Sequence, residues 1–73
     1  MVTLYLFINQ KTGKMRISPV DDQSVDEHQQ SKTECNDYTT ALTSCKMYAL
    51  GLIHGQIQAN RGFRITSKEE DFI

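Results

Sequence analysis

Residues 2–9, VTLYLFIN, decide how this chain folds. They are rich in β-branched and aromatic side chains, which suit the pleated backbone of a strand. Both alternating sets are apolar: Val2, Leu4, Leu6 and Ile8 point one way, Tyr5 and Phe7 the other. A strand apolar on both sides belongs in the middle of a sheet. The next five residues, QKTGK, read as a turn in which Gly13 takes up a positive φ. Residues 15–18 alternate again, with Met15 and Ile17 on one face and Arg16 and Ser18 on the other. The two segments make a hairpin. Pro19 cannot donate to a ladder, so the second strand is an edge or stops there.

Outward from the hairpin, residues 21–36 are polar, with Val25 as the one aliphatic side chain, and read as a long connecting loop. Asn36 or Asp37 then caps a helix. Tyr38, Ala41, Leu42, Cys45, Tyr48, Ala49, Leu52 and Ile53 recur at helical spacing and form one stripe. The helix is expected to run to about residue 60, where Arg61 and Gly62 form a stop signal. Residues 63–66, FRIT, alternate as a third strand, and residues 67–73 are a short turn or tail opened by a capping-box pattern, SKEE. The expected fold is a single α+β domain over residues 1–73. Its element order is ββαβ, with a mainly antiparallel three-stranded sheet in order 2-1-3 and one helix packed on one face.

The chain has 73 residues and a net charge of −1. A domain this small buries only about 60–65% of its unfolded surface, so its core is thin. The balanced charge excludes both the basic field of a duplex-DNA module and the massed carboxylates of a DNA mimic. No apolar run approaches the ~20 residues of a membrane span, and residues 1–8 lack the pattern of a secretory signal. The cytoplasm is the expected compartment. Cys35 and Cys45 are too few for a disulfide framework and read as reduced thiols.

Catalysis needs several complementary groups at workable spacing, and none is present. The four glycines are too dispersed to cradle a phosphate. His28, Cys35, Cys45 and His54 match no zinc spacing, and Cys45 sits on the buried stripe of the helix. The paired carboxylates at Asp21-Asp22, Asp26-Glu27 and Glu69-Glu70-Asp71 lie in polar, solvated stretches. No enzyme, metal or cofactor is expected.

Two surfaces are candidates for binding. On a helix continuing to residue 60, Met47, Leu50, His54 and Ile57 fall roughly 120–200° from Cys45, opposite the buried stripe. They would form a second apolar face for a partner or a second copy, with Gly51 and Gly55 on its flank. The alternative is a helix that kinks or ends near Gly51 or Gly55, which re-aims Ile57 into the core. The other surface is the open face of the sheet, where Tyr5, Phe7, Arg16 and Arg64 point away from the helix. These residue types serve a protein interface or the stacking of nucleic-acid bases. In a third reading, the polar loop folds back and covers Tyr5 and Phe7.

A helix of the form DYTTALTSCK (residues 37–46), followed by a GFRIT strand (residues 62–66) in a ββαβ plan, resembles several very small phage-encoded proteins. These include anti-CRISPR proteins and inhibitors of host RNA polymerase. The resemblance implies stoichiometric binding to a host protein complex by a small non-enzymatic inhibitor. The second helix face adds a homodimer to the expected partners, and the lack of a long apolar run removes a membrane from them. The alternative function is nucleic-acid binding on the open sheet.

Overall fold

A computed structural model of the chain describes residues 1–59 and 62–73. Three strands, β1 (Val2–Asn9), β2 (Met15–Ser18) and β3 (Glu27–Cys35), are followed by helix α1 (Tyr38–Ile53) and a short 3-10 turn, Glu69–Phe72. The sheet is antiparallel in order β2-β1-β3, with the apolar strand β1 in the centre and the helix on one face. This is the expected α+β sheet order, with one correction to its contents. The third strand is residues 27–35, part of the stretch read as loop, and residues 63–66 are not a strand. The element order is therefore βββα rather than ββαβ.

The polar sequence of β3 hid its role because its sheet faces are built from small and charged groups. Ser31, Thr33 and Cys35 share the helix side with Leu4 and Leu6, while Glu27, Gln29, Lys32 and Glu34 share the outer side with Tyr5 and Phe7. A β-bulge separates the pairs Leu6–Ser31 and Phe7–Gln29, leaving Gln30 as the extra residue. The outward-facing positions thus change from odd to even numbers halfway along β3, and simple alternation breaks down.

The small side chains on β3 leave room for the helix, which approaches with small residues of its own. Ala41, Cys45 and Ala49 are fully buried. Cys45 Sγ lies 3.5 Å from Thr33 Oγ1, within the range of a weak thiol hydrogen bond. Leu4, Leu6, Ile8, Met15, Leu52 and Phe72 complete the core.

Asp37 caps α1 as expected, its carboxylate accepting the Thr40 amide at 3.0 Å. The far end is shorter than the sequence suggested. The helix stops at Ile53, and Gly55 adopts φ 74°. The amide of Gly55 donates to the Leu52 carbonyl at 3.2 Å, and that of Gln56 to the Gly51 carbonyl at 2.8 Å. This pair of bonds is a Schellman cap around a left-handed glycine. The Ile57 amide also reaches the Gly51 carbonyl, at 3.0 Å, so the chain doubles back over the last helical turn. Residues 60 and 61, where the sequence placed the helix end, lie outside the described residues.

The returning chain runs beside the hairpin. Thr66 donates its amide to the Gly13 carbonyl at 2.8 Å and its hydroxyl to the Thr12 carbonyl at 2.6 Å. Ser67 Oγ accepts the Met15 amide at 2.8 Å. Gly13, at φ 75°, is buried against the Arg64 carbonyl, so any side chain there meets backbone. Phe63 and Ile65 pack against the core from this segment without joining the sheet. The turn that follows is closed by Asp71, whose carboxylate accepts the Lys68 amide at 3.0 Å, so its cap is Lys68 rather than Ser67.

Candidate functional site

The expected apolar face of the helix does not form. Because the chain reverses at Gly55, Ile57 lies over Gly51, and both Ile57 and Leu50 pack against the main core cluster. His54 follows the last helical residue, with Nε2 3.6 Å from a Glu69 carboxylate oxygen. Of the four residues, Met47 alone remains a large apolar side chain in solvent, 64% exposed. This is the alternative that the two helical glycines left open, and it takes Leu50 and Ile57 out of any dimer face.

The outer sheet face is occupied as well. Strands β2 and β3 run parallel with β1 between them, so residues 19–26 must return along the length of the sheet across one of its faces. The helix holds one, and they cross the other. Their path is marked by Asp22 beside Arg16 and by the Asp26 carbonyl, which accepts the Gln10 amide at 2.8 Å.

Arg16 is the centre of this face. Its guanidinium grips Glu27 through two bonds, Nε to Oε2 at 2.6 Å and Nη2 to Oε1 at 2.7 Å, and Nη2 also reaches Asp22 Oδ1 at 3.1 Å. A two-pronged contact of this kind is among the stronger side-chain interactions. The Glu27 side chain is only 8% exposed, and the Ser24 amide donates to it at 3.0 Å. The hydrogen bonds from Arg16 hold the Glu27 carboxyl at about 2, well below its ordinary 4.5. The same guanidinium lowers Asp22, and its own proton is held more tightly, chiefly by the bonds to Glu27.

Arg16 also lies 4.8 Å from the centroid of the Phe7 ring, which stacks on Tyr5 at 5.9 Å. Phe7 is fully buried and Tyr5 half-buried. The face therefore brings together Tyr5, Phe7 and Arg16 as expected, but as a covered structural unit. A nucleic-acid base has no bare Phe7 ring to stack on, and the charge of Arg16 is already matched. Arg64 is exposed and lies on the returning segment, not on the sheet.

A different feature, which the sequence did not reveal, is a groove of about 530 Å³ between the outer edge of β2, the helix and the returning segment. Its lining includes Lys14 of the turn, Met15, Arg16 and Ile17 of β2, Lys46 of α1, and Thr66, Ser67, Lys68, Asp71 and Phe72 of the returning chain. None of Lys14, Lys46 and Lys68 forms an ion pair among the described residues. The one carboxylate in the lining, Asp71, is engaged with the Lys68 amide. The groove is thus basic in a chain of net charge −1. No pattern in the sequence announces it, because its three lysines come from three segments that only the return of the chain assembles.

Among the described residues, no group of three or more His, Cys, Asp or Glu side chains is placed to hold a metal ion. Cys35 and Cys45 are free thiols, and among the described residues no helix is long and apolar enough to cross a membrane. Comparison with protein families, with curated proteins and with solved structures finds no match.

Proposed function

We propose that the chain is a small non-enzymatic protein-binding module that acts as a stoichiometric inhibitor or regulator. In this reading it is phage-encoded, works in the host cytoplasm, and covers a functional surface of a larger host complex, such as a defence or transcription assembly. The observation that carries the binding role is the basic groove beside the β2 edge, where unpaired lysines and a strand edge face solvent together. The phage setting comes from the sequence resemblance alone, and the βββα order removes the ββαβ plan on which part of that resemblance rested. Nucleic-acid binding on the open sheet loses its support, since Phe7 is covered and Arg16 is bonded to two carboxylates.

The test is affinity capture from nuclease-treated bacterial lysates with the full chain immobilised, run beside a Lys46→Glu, Lys68→Glu double variant. The expected result is one host complex held in stoichiometric amount by the parent chain and released by the variant. The variant's circular dichroism should match the parent's. Capture of nothing, or of the same proteins by both chains, would overturn the assignment of function to the groove.

A further inference from the structure

Resting on the protein-binding reading, we propose that the groove takes an extended acidic peptide segment, which pairs with the open backbone of Ile17 on the edge of β2 and sets its carboxylates among Lys14, Lys46 and Lys68.

The two edges of the sheet are not equivalent. The β3 edge carries a bulge at Gln30 and the charge of Lys32, two features that discourage pairing with another strand. The β2 edge is different. In an antiparallel pair, alternate residues turn their amide groups toward the neighbour. The Asn9 amide donates to the Lys14 carbonyl at 2.8 Å, which fixes the phase: Lys14, Arg16 and Ser18 face β1, and Met15 and Ile17 face outward. The Met15 amide bonds to Ser67 Oγ at 2.8 Å, confirming that direction. Nothing among the described residues takes up the amide groups of Ile17. They open into the groove, where a strand's ordinary partner is another backbone.

Length and charge then define the occupant. The four residues of β2 span about 13 Å, the length of about four residues of an extended segment, and Ile17 is the residue whose amide groups such a segment would pair with. Three unpaired lysines around one engaged carboxylate select for negative charge. A single-stranded nucleic acid is also anionic, but it requires exposed rings to stack its bases. The aromatic residue in the lining, Phe72, is buried in the core. An acidic peptide uses both features of the groove, the backbone edge and the lysines, whereas a nucleic acid uses the lysines alone.

The experiment is fluorescence anisotropy of labelled peptides of about eight residues, long enough to cover the edge, against the full chain. The probes alternate Glu with Val, Gln with Val, or Lys with Val, and an oligothymidine is the nucleic-acid probe. The Glu peptide should bind, and the Gln and Lys peptides should bind at least about tenfold more weakly. Lys46→Glu with Lys68→Glu should weaken the Glu peptide by roughly tenfold, the effect of reversing a few exposed charges. Lys14→Glu, at an exposed position, gives the same direction without touching the helix. N-methylation of alternate peptide amides should weaken binding in one phase and spare it in the other, which charge attraction alone would not produce. Equal binding of the Glu and Gln peptides, indifference to N-methylation, or tighter binding of the oligothymidine would overturn the proposal. If the peptides fail while capture of a host complex still depends on Lys46 and Lys68, the acidic-strand inference falls and the protein-binding reading stands. If capture fails too, both fall.

Discussion

The sharpest test of the fold lies at Gly51, where the helix meets its own continuation. A Cβ added there would sit 2.6 Å from Ile57 Cδ1, 3.0 Å from its Cγ1 and 3.6 Å from its Cβ. The substitution Gly51→Ala therefore sets two effects against each other. Replacing a helical glycine by alanine gains about 0.8–1 kcal/mol. Forcing a methyl group into a filled space costs about 1–3 kcal/mol. In the parent chain the balance is a loss of about 0–2 kcal/mol. With Ile57→Ala in the background, only the 3.6 Å neighbour remains, an ordinary contact, and the same Gly51→Ala should stabilise by about 1 kcal/mol. The coupling between the sites is thus about 1–3 kcal/mol, with a reversal or clear shift in the sign of the Gly51→Ala effect. Urea unfolding of the four chains followed by far-ultraviolet circular dichroism measures it, and in a domain this small 1 kcal/mol moves the thermal midpoint by about 4–8 °C. Additivity within about 0.5 kcal/mol, with Gly51→Ala stabilising in both backgrounds, would show that Ile57 does not cover Gly51. The helix would then continue, and the second apolar face would be restored.

Other expectations follow from the same contacts. Leu50→Glu should destabilise by several kcal/mol, because it drives a carboxylate against the core, whereas Met47→Glu, at a 64% exposed position, should leave the unfolding midpoint within about 0.5 kcal/mol of the parent. Equal effects of the two would contradict the packing of this helix. The pH dependence has a defined direction. Glu27 titrates at about 2 in the folded chain and ordinarily at 4.5, so it contributes stability that is complete above about pH 4.5 and lost as pH falls toward about 2. Glu27→Gln should cost about 1–3 kcal/mol at neutral pH and flatten that acid limb, as read by urea midpoints across the window. An acid limb unchanged by Glu27→Gln would remove the Arg16–Glu27 pair as its source.

The parts of the fold legible in the sequence are those where one periodicity governs a whole element. The two-sided apolar strand β1, the alternation of Met15 and Ile17, the cap at Asp37 and the Ala41–Cys45–Ala49 stripe all follow local rules, and the structure places them accordingly. The third strand escaped because its buried side uses serine, threonine and cysteine, and because the bulge at Gln30 shifts its pattern by one residue. The sequence offered residues 63–66 instead, since their alternation is real. Their Phe63 and Ile65 do pack against the core, but β1 has only two edges and both are taken by closer neighbours in the chain. The candidate site was hidden for a related reason. Tyr5, Phe7 and Arg16 do share a face, but the covering segment and the pairing of Arg16 with Glu27 depend on the strand that was read as loop. The groove draws Lys14, Lys46 and Lys68 from separate elements, and residues 66–67 must be fastened to the hairpin before it exists.

The bulge in β3 has a consequence for how this chain tolerates changes in length. Ser31 already stands opposite Leu6 and Gln29 opposite Phe7, which are consecutive on β1. Deleting Gln30 would therefore leave every cross-strand pair on either side in frame, with Glu27 still facing Arg16 and Thr33 still facing the helix. Loss of one residue from the middle of β1 would instead turn half of that strand inside out. The extra residue does not set the register. It supplies local twist to an edge strand, and twist keeps such an edge from meeting its like. A chain shortened at Gln30 would fold with the same partners but present a flatter, more sociable edge, and its defect would appear as self-association at high concentration rather than as a lower melting temperature.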